Sequence, residues 1–420
     1  MRFRTRFLWC ALAAALYLGR LVAAGPGSLE WRVRTGTDLI GEQFHLIDDD
    51  TLDLTTEFRT ELQTRWRYGG LGAGLRWRDV DLDHRVGIGT ETLRHDFSGS
   101  AIWNPDSAWH VDMRGLTLAR YYLDDAGGTR SNFVQGRFQA ILRREPFDEN
   151  ASWGIDQGVE GAAYGNRSSV FLNGLRHWHG LVVDGQRGFD FYGGRVVLEH
   201  ERIPDSTALD YVGVGGDLYG TWSPSLSWDA SGEVAFTGRR YRNPQVRPHE
   251  STLTAHTRLG WRLLADWSVE VDPTLTVASY DPADSIYYSH RRIAPAISLV
   301  WWPTWGSVRV GPRAAWQRSR TFRGEDYAEW GFQASVNLFS SERGFLDLTT
   351  EVGWRDYLHD EEAFFTDHRY WDTTLLLTGH LPWGLQLDTF VTFRAESHPN
   401  AVDNTRSILV AVDLSRALDR

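Results

Sequence analysis

Lysine is absent from this sequence of 420 residues, so all 44 basic residues are arginine. Cysteine occurs once, at Cys10, and methionine twice. A single cysteine excludes an internal disulfide and a thiolate metal site. Basic surplus is also missing: 55 acidic residues outnumber the 44 arginines, for a net charge of −11. A general nucleic-acid binder needs the opposite balance. After Leu18 no apolar run approaches the ~20 residues of a membrane-spanning helix. Aromatic residues, in contrast, make up 13% of the chain and include 20 Trp. With 42% apolar residues, that is too much for a disordered chain.

The first residues read as an address. Arg2, Arg4 and Arg6 precede the apolar stretch Phe7 to Leu18, and Val22-Ala23-Ala24 offers small residues before Gly25. This is the basic, apolar and small-residue order of a secretory leader. The expected division is a signal peptide over 1–24 and a mature domain over 25–420. Cys10 falls inside the leader, so the mature chain has no thiol.

The mature chain is written in period two. From Leu52 to Tyr68, Leu52, Leu54, Phe58, Leu62, Trp66 and Tyr68 alternate with Asp53, Glu57, Arg59, Glu61, Arg65 and Arg67. Successive strand residues point to opposite faces, so one face is apolar and the other charged. The pattern recurs at Leu226 to Thr237, Leu253 to Leu263, Val308 to Gln317, Leu346 to Arg355 and Leu385 to Arg394. These segments exceed the usual ~5–6 residues of a globular strand. Their length and the charge on one face favour a membrane barrel with lipid outside and a wet interior.

Short turns punctuate the strands at intervals of roughly forty residues, room for one strand, a loop and a returning strand. They are read at Gly69-Gly70, Asn104 to Asp106, Glu145-Pro146, Asp184-Gly185, Ser223-Pro224, Ala265-Asp266, Pro303-Thr304, Ser340 to Arg343 and Pro382 to Gly384. The resulting expectation is an all-β, antiparallel barrel of about 20 strands, with 18 as the alternative and no plug domain. The weakest strands are the first and those near Trp153 and Val170. The longest loop is expected over Thr37 to Asp50. Trp66, Trp103, Trp109, Trp222, Trp228, Trp267, Trp301, Trp302, Trp305 and Trp383 cluster near the tight turns. Tyr121, Tyr122, Tyr241, Tyr280, Tyr288, Tyr327 and Tyr357 cluster near the longer loops. The two sets are expected to form two aromatic belts.

By this pattern the mature chain resembles Gram-negative outer-membrane β-barrels, in porin-like form or as the barrels that accompany exopolysaccharide export. The resemblance implies an outer-membrane location and contact with outer-membrane lipid, lipopolysaccharide and the barrel-assembly machinery. A polysaccharide or a periplasmic export partner is the further partner it implies. It departs from the family at the end: Ile408, Val410, Val412 and Leu414 alternate, but no terminal aromatic follows.

The expected lumen lining includes Arg59, Arg65, Arg67, Arg258, Arg262, Arg309, Arg313, Arg355, Glu57, Glu233 and Asp347. A barrel of this size holds an aqueous pore, and arginine bands suit anionic solutes or polymers through bidentate hydrogen bonds. The competing reading pairs these arginines with neighbouring carboxylates as wall structure. A passive channel or export pore is expected, with no cofactor and no nucleic-acid partner. A sleeve around a secretion or electron-transfer partner is the second reading. A rim hydrolase is the third, for which no nucleophile-elbow or zinc-protease motif is present, so no enzyme is expected. His177 and His179 share a strand face but lack a third metal ligand. Asp48 to Asp50 and Asp360-Glu361-Glu362 are expected as solvated loop charge, with Ca²⁺ or lipopolysaccharide bridging as the alternative.

Overall fold

In the computed structural model the backbone is described for residues 27–46, 49–69, 77–88, 92–104, 108–122, 131–144, 151–165, 172–284, 286–340, 344–359, 366–382, 385–400 and 403–419. Side chains are described between 82 and 412 within those segments, Thr92 excepted. The leader assigned to 1–24 lies outside the described residues.

The chain is all β and antiparallel, with no α-helix among the described residues. The strands are β1 (Gly27–Leu46), β2 (Asp49–Gly69), β3 (Trp77–Ile88), β4 (Thr92–Trp103), β5 (Trp109–Tyr122), β6 (Phe133–Arg144) and β7 (Ala151–Tyr164). They continue as β8 (Gly174–Arg187), β9 (Asp190–Arg202), β10 (Tyr211–Ser225), β11 (Trp228–Tyr241), β12 (His249–Leu264) and β13 (Trp267–Asp281). The last are β14 (His290–Trp301), β15 (Gly306–Ser319), β16 (Tyr327–Ser340), β17 (Gly344–Tyr357), β18 (His368–Leu381), β19 (Leu385–Ser397) and β20 (Thr405–Asp419). Each strand pairs with its chain neighbour, and β1 pairs with β20 as well as β2. Many strands have 14 residues. At ~3.4 Å per residue and a tilt of ~40°, such a strand climbs about 35 Å, enough for an apolar band ~25 Å tall.

The period-two writing becomes two faces. On β12 the register places Glu250, His256, Arg258 and Arg262 on the face shared with Arg239, Glu233, Tyr280 and Glu270 of the adjoining strands. The alternate positions Leu253, Leu259, Trp261 and Leu263 are large, apolar and exposed. The polar face is the crowded one: Asp156, Glu199, Glu270 and Glu329 are each at most 3% exposed there, beside Trp178 and Tyr211. This inversion, charge buried and leucine exposed, is what a sheet curved around a wet interior and facing lipid requires.

Several sequence expectations need correction. The segment 37–46 belongs to β1, not to a loop, and the first connection is 47–48. Its weak strand formers are held by residue-by-residue pairing on both flanks, with β2 and β20. Asp49 and Asp50 therefore open β2, whereas Asp48 and 360–362 lie outside the described residues. Asp184-Gly185 and Ser223-Pro224 sit inside β8 and β10. The turns come later, at Gly188-Phe189 and Leu226-Ser227. Gly188 has φ 64°, a left-handed conformation that a two-residue hairpin needs and glycine supplies. A register shift between Trp222 and Ser225 accommodates Pro224, since proline cannot donate to the ladder. Val170 lies outside the described residues, and the strand expected near it is β8, which begins at Gly174.

The aromatic belts also divide differently. Trp228 stacks on Trp261, and Trp267 on Trp301, on the apolar face at the tight-turn end. Tyr241, Tyr327 and Tyr357 lie near the longer loops as expected, but on the polar face and buried. They belong to the polar face rather than to a lipid belt, because their parity matches Arg239 and Arg355.

Candidate functional site

The polar face carries charge in short chains of alternating sign. On β15, Arg309 reaches across β14 to β13: its Nη2 lies 2.5 Å from Glu270 Oε2, and its Nη1 3.2 Å from Asp272 Oδ2. Arg258 of β12 takes the other Glu270 oxygen. Two arginines thus share one buried carboxylate and its neighbour.

A second chain runs over β15–β18. Arg313 Nη2 lies 2.9 Å from Glu329 Oε1, and Arg355 Nη2 2.5 Å from Glu329 Oε2. Arg313 also pairs with Glu351. The Tyr370 hydroxyl donates to Glu351 Oε1 at 2.6 Å. Arg355 lies over the Tyr327 ring at 4.5 Å. Glu329 is 1% exposed, so this carboxylate is affordable only with both guanidiniums in place.

A third chain links Arg176, Glu199, Arg239, Glu250 and Arg247 over β8–β12. Farther round, Arg195 meets Asp156 at 2.5 Å, and Arg143 meets Asp184 at 2.5 Å. Trp178 is buried beside the first of these pairs. Its Nε1 donates to Asp156 Oδ1 at 3.2 Å, and Arg137 lies 5.2 Å over its ring. The facing position on β7 is Gly158, where any Cβ would overlap the indole.

Of the expected lining residues, Arg258, Arg309, Arg313 and Arg355 are brought into these chains. Arg262, Glu233 and Asp347 share their face without joining an ion pair with any described residue. Asp347 accepts a hydrogen bond from Thr349 Oγ1 at 3.4 Å. Glu57, Arg59, Arg65 and Arg67 lie on β2, their side chains outside the described residues. Sequence reading missed Glu329, Glu199 and Asp156, the central carboxylates. It also missed Trp178, which lies between His177 and His179 in the chain. His177 and His179 lie on the apolar face, with His200 across from His177. No group of three metal-ligating side chains occurs among the described residues.

In the loop between β15 and β16, the short turn Arg323–Glu325 buries Glu325. Burial pushes its carboxyl above the usual carboxylate range, partly offset by the Tyr288 hydroxyl 3.5 Å away and by Arg355 and His290.

No protein-family model matches this chain, and no curated protein matches it. Solved structures do. OpdQ of Pseudomonas aeruginosa superposes with a TM-score of 0.50 at 9% identity, over 93% of this chain and 99% of that one. OprD of the same organism gives 0.45 at 10% identity, over 95% and 98%. The siderophore receptor PirA of that organism gives 0.48 at 10%, over 92% and 80%. OpdQ is an outer-membrane porin, and the likeness to it shows the fold alone, that of the outer-membrane β-barrels.

Proposed function

We propose that the ladder, whose first strand pairs with its last, closes as a barrel of about 20 strands in the bacterial outer membrane and conducts small polar solutes without catalysis. The observation that carries this reading is the self-neutralised polar face. Its buried carboxylates are matched by guanidiniums, which makes a hydrated wall rather than a solid core. A barrel of more than ~16–18 strands leaves an aqueous channel unless something fills it. The longest connections between strands, 123–132 and 358–367, are too short to fold into a plug of that width.

Pairing also decides selectivity. Arg258, Arg309, Arg313 and Arg355 are already committed to carboxylates, so they are wall structure rather than a free anion path. Asp217, Asp229 and Glu233 on β10 and β11 make no ion pair with any described residue, against Arg262 alone nearby on β12. We infer a mild preference for cations. Polysaccharide export and a sleeve role have no comparable observation behind them.

Planar-bilayer recording of the detergent-purified mature chain tests this. Steady ohmic steps are the expected result. Silence from folded, heat-modifiable protein would overturn the open lumen.

A further inference from the structure

A further set of arginines lies on the other face. Arg202, Arg240, Arg291, Arg318, Arg369 and Arg406 alternate with apolar residues at the longer-loop ends of their strands. Only Arg318 pairs with a described carboxylate, Asp326 at 3.5 Å. The tight-turn end of the same face carries the stacked tryptophans instead. In the barrel reading proposed above, on which this inference rests, the arginines ring the outer leaflet.

Two of them converge on a groove. Arg369 of β18 and Arg406 of β20 flank β19, where Ser397 faces Arg369 and Ala395 faces Arg406. Ladder spacing puts their Cα atoms about 12 Å apart, within reach of one shared anion for two side chains of this length. Both are exposed, and neither makes an ion pair with a described residue. Asp367, two residues before Arg369, is not within ion-pair distance of it, and Glu396, which also lines the groove, pairs with Arg394. A cavity of about 590 Å³ opens between them, lined below by Trp371, Phe393 and Ile408. Trp371 meets Phe393 edge-on at 5.2 Å, and its Nε1 is fixed by Thr350 and Thr373. The groove is therefore cationic at the membrane surface and apolar toward the membrane interior.

We propose that this groove binds a phosphorylated lipid of the outer leaflet, the phosphoglucosamine lipid of lipopolysaccharide. Arg369 and Arg406 clamp a phosphate through charge-assisted hydrogen bonds. The acyl chains run along Trp371, Phe393 and Ile408. The occupant is fixed by complementarity: a free anion has no use for the aromatic floor, and a neutral lipid has none for two unpaired guanidiniums beside hydrocarbon.

The test is native mass spectrometry of the full mature chain in detergent, titrated with bisphosphorylated or dephosphorylated lipid A. The phosphorylated form should bind about tenfold or more tightly. The double variant Arg369→Gln, Arg406→Gln should lose that preference, while Arg369→Lys, Arg406→Lys should keep part of it. Conductance should be the same in all, which separates this proposal from the channel reading. Equal binding of the two lipids, or an undiminished preference in the folded Gln variant, would overturn it. So would full displacement of the lipid by millimolar inorganic phosphate, which would make the groove a site for free anion.

Discussion

Arginine does two different jobs in this chain, and the face it lies on decides which. Arg313 and Arg355 on the polar face hold Glu329, which is 1% exposed. Arg369 and Arg406 on the apolar face are exposed and unmatched by any described carboxylate. The first pair answers a desolvation problem inside the wall; the second presents charge outward at the membrane surface. The same residue type at the same period thus builds structure on one side and a binding surface on the other. With lysine absent, both jobs fall to a group that stays protonated and reaches bidentately.

The contrast predicts unequal costs. Replacing Glu329 by Ala strands Arg355 and leaves Arg313 with Glu351 alone, and should cost about 3–5 kcal/mol, measured as a lowered urea midpoint of the barrel refolded in lipid. Replacing Arg240 or Arg291 by Gln should change the same midpoint by no more than about 0.5 kcal/mol. Similar costs for both would erase the distinction between the faces.

Crowding on the polar face is the next difference. Gly158→Ala drives a methyl group into the Trp178 ring, which Asp156, Arg137 and Arg176 hold in place. It should cost about 1–3 kcal/mol as overpacking, and shift the tryptophan emission. An Ala at Gly232, where a Cβ has open contacts beyond 3.4 Å, should be nearly neutral.

Glu325 is a buried carboxyl with no guanidinium in ion-pair distance among the described residues. Its raised pKa means that the folded state binds its proton more tightly than the unfolded one. Between the ordinary carboxylate value and the raised one, stability therefore falls as pH rises. Glu325→Gln should remove this decline and be more stable than wild type above that window. The check is the heat-modification midpoint followed from pH 4 to pH 8.

Much of this architecture is legible from period two alone. The charge–leucine alternation at Leu253 to Leu263 fixes the two faces of β12, and Ala265-Asp266 and Pro303-Thr304 mark real turns. What periodicity does not carry is sideways information. Glu329 reads as one polar residue among many until the register puts Arg313 and Arg355 beside it. Trp178 looks like a lipid-facing aromatic until its parity, and Gly158 opposite, turn it inward. The strand over 37–46 has no local signal strong enough to show; its neighbours on both sides impose it. The direction of Tyr241 and Tyr357 follows parity, whereas nearness to a loop reveals only height.

Arg258, Arg309, Arg313 and Arg355 are spent on carboxylates, leaving Asp229 and Glu233 to act on passing ions. The most direct measurement is the reversal potential of single channels in a tenfold KCl gradient, for wild type and for Asp229→Asn, Glu233→Gln. Cation selectivity that falls in the variant is the predicted result. Anion selectivity in the wild-type chain would contradict the account and return the arginines to the permeation path.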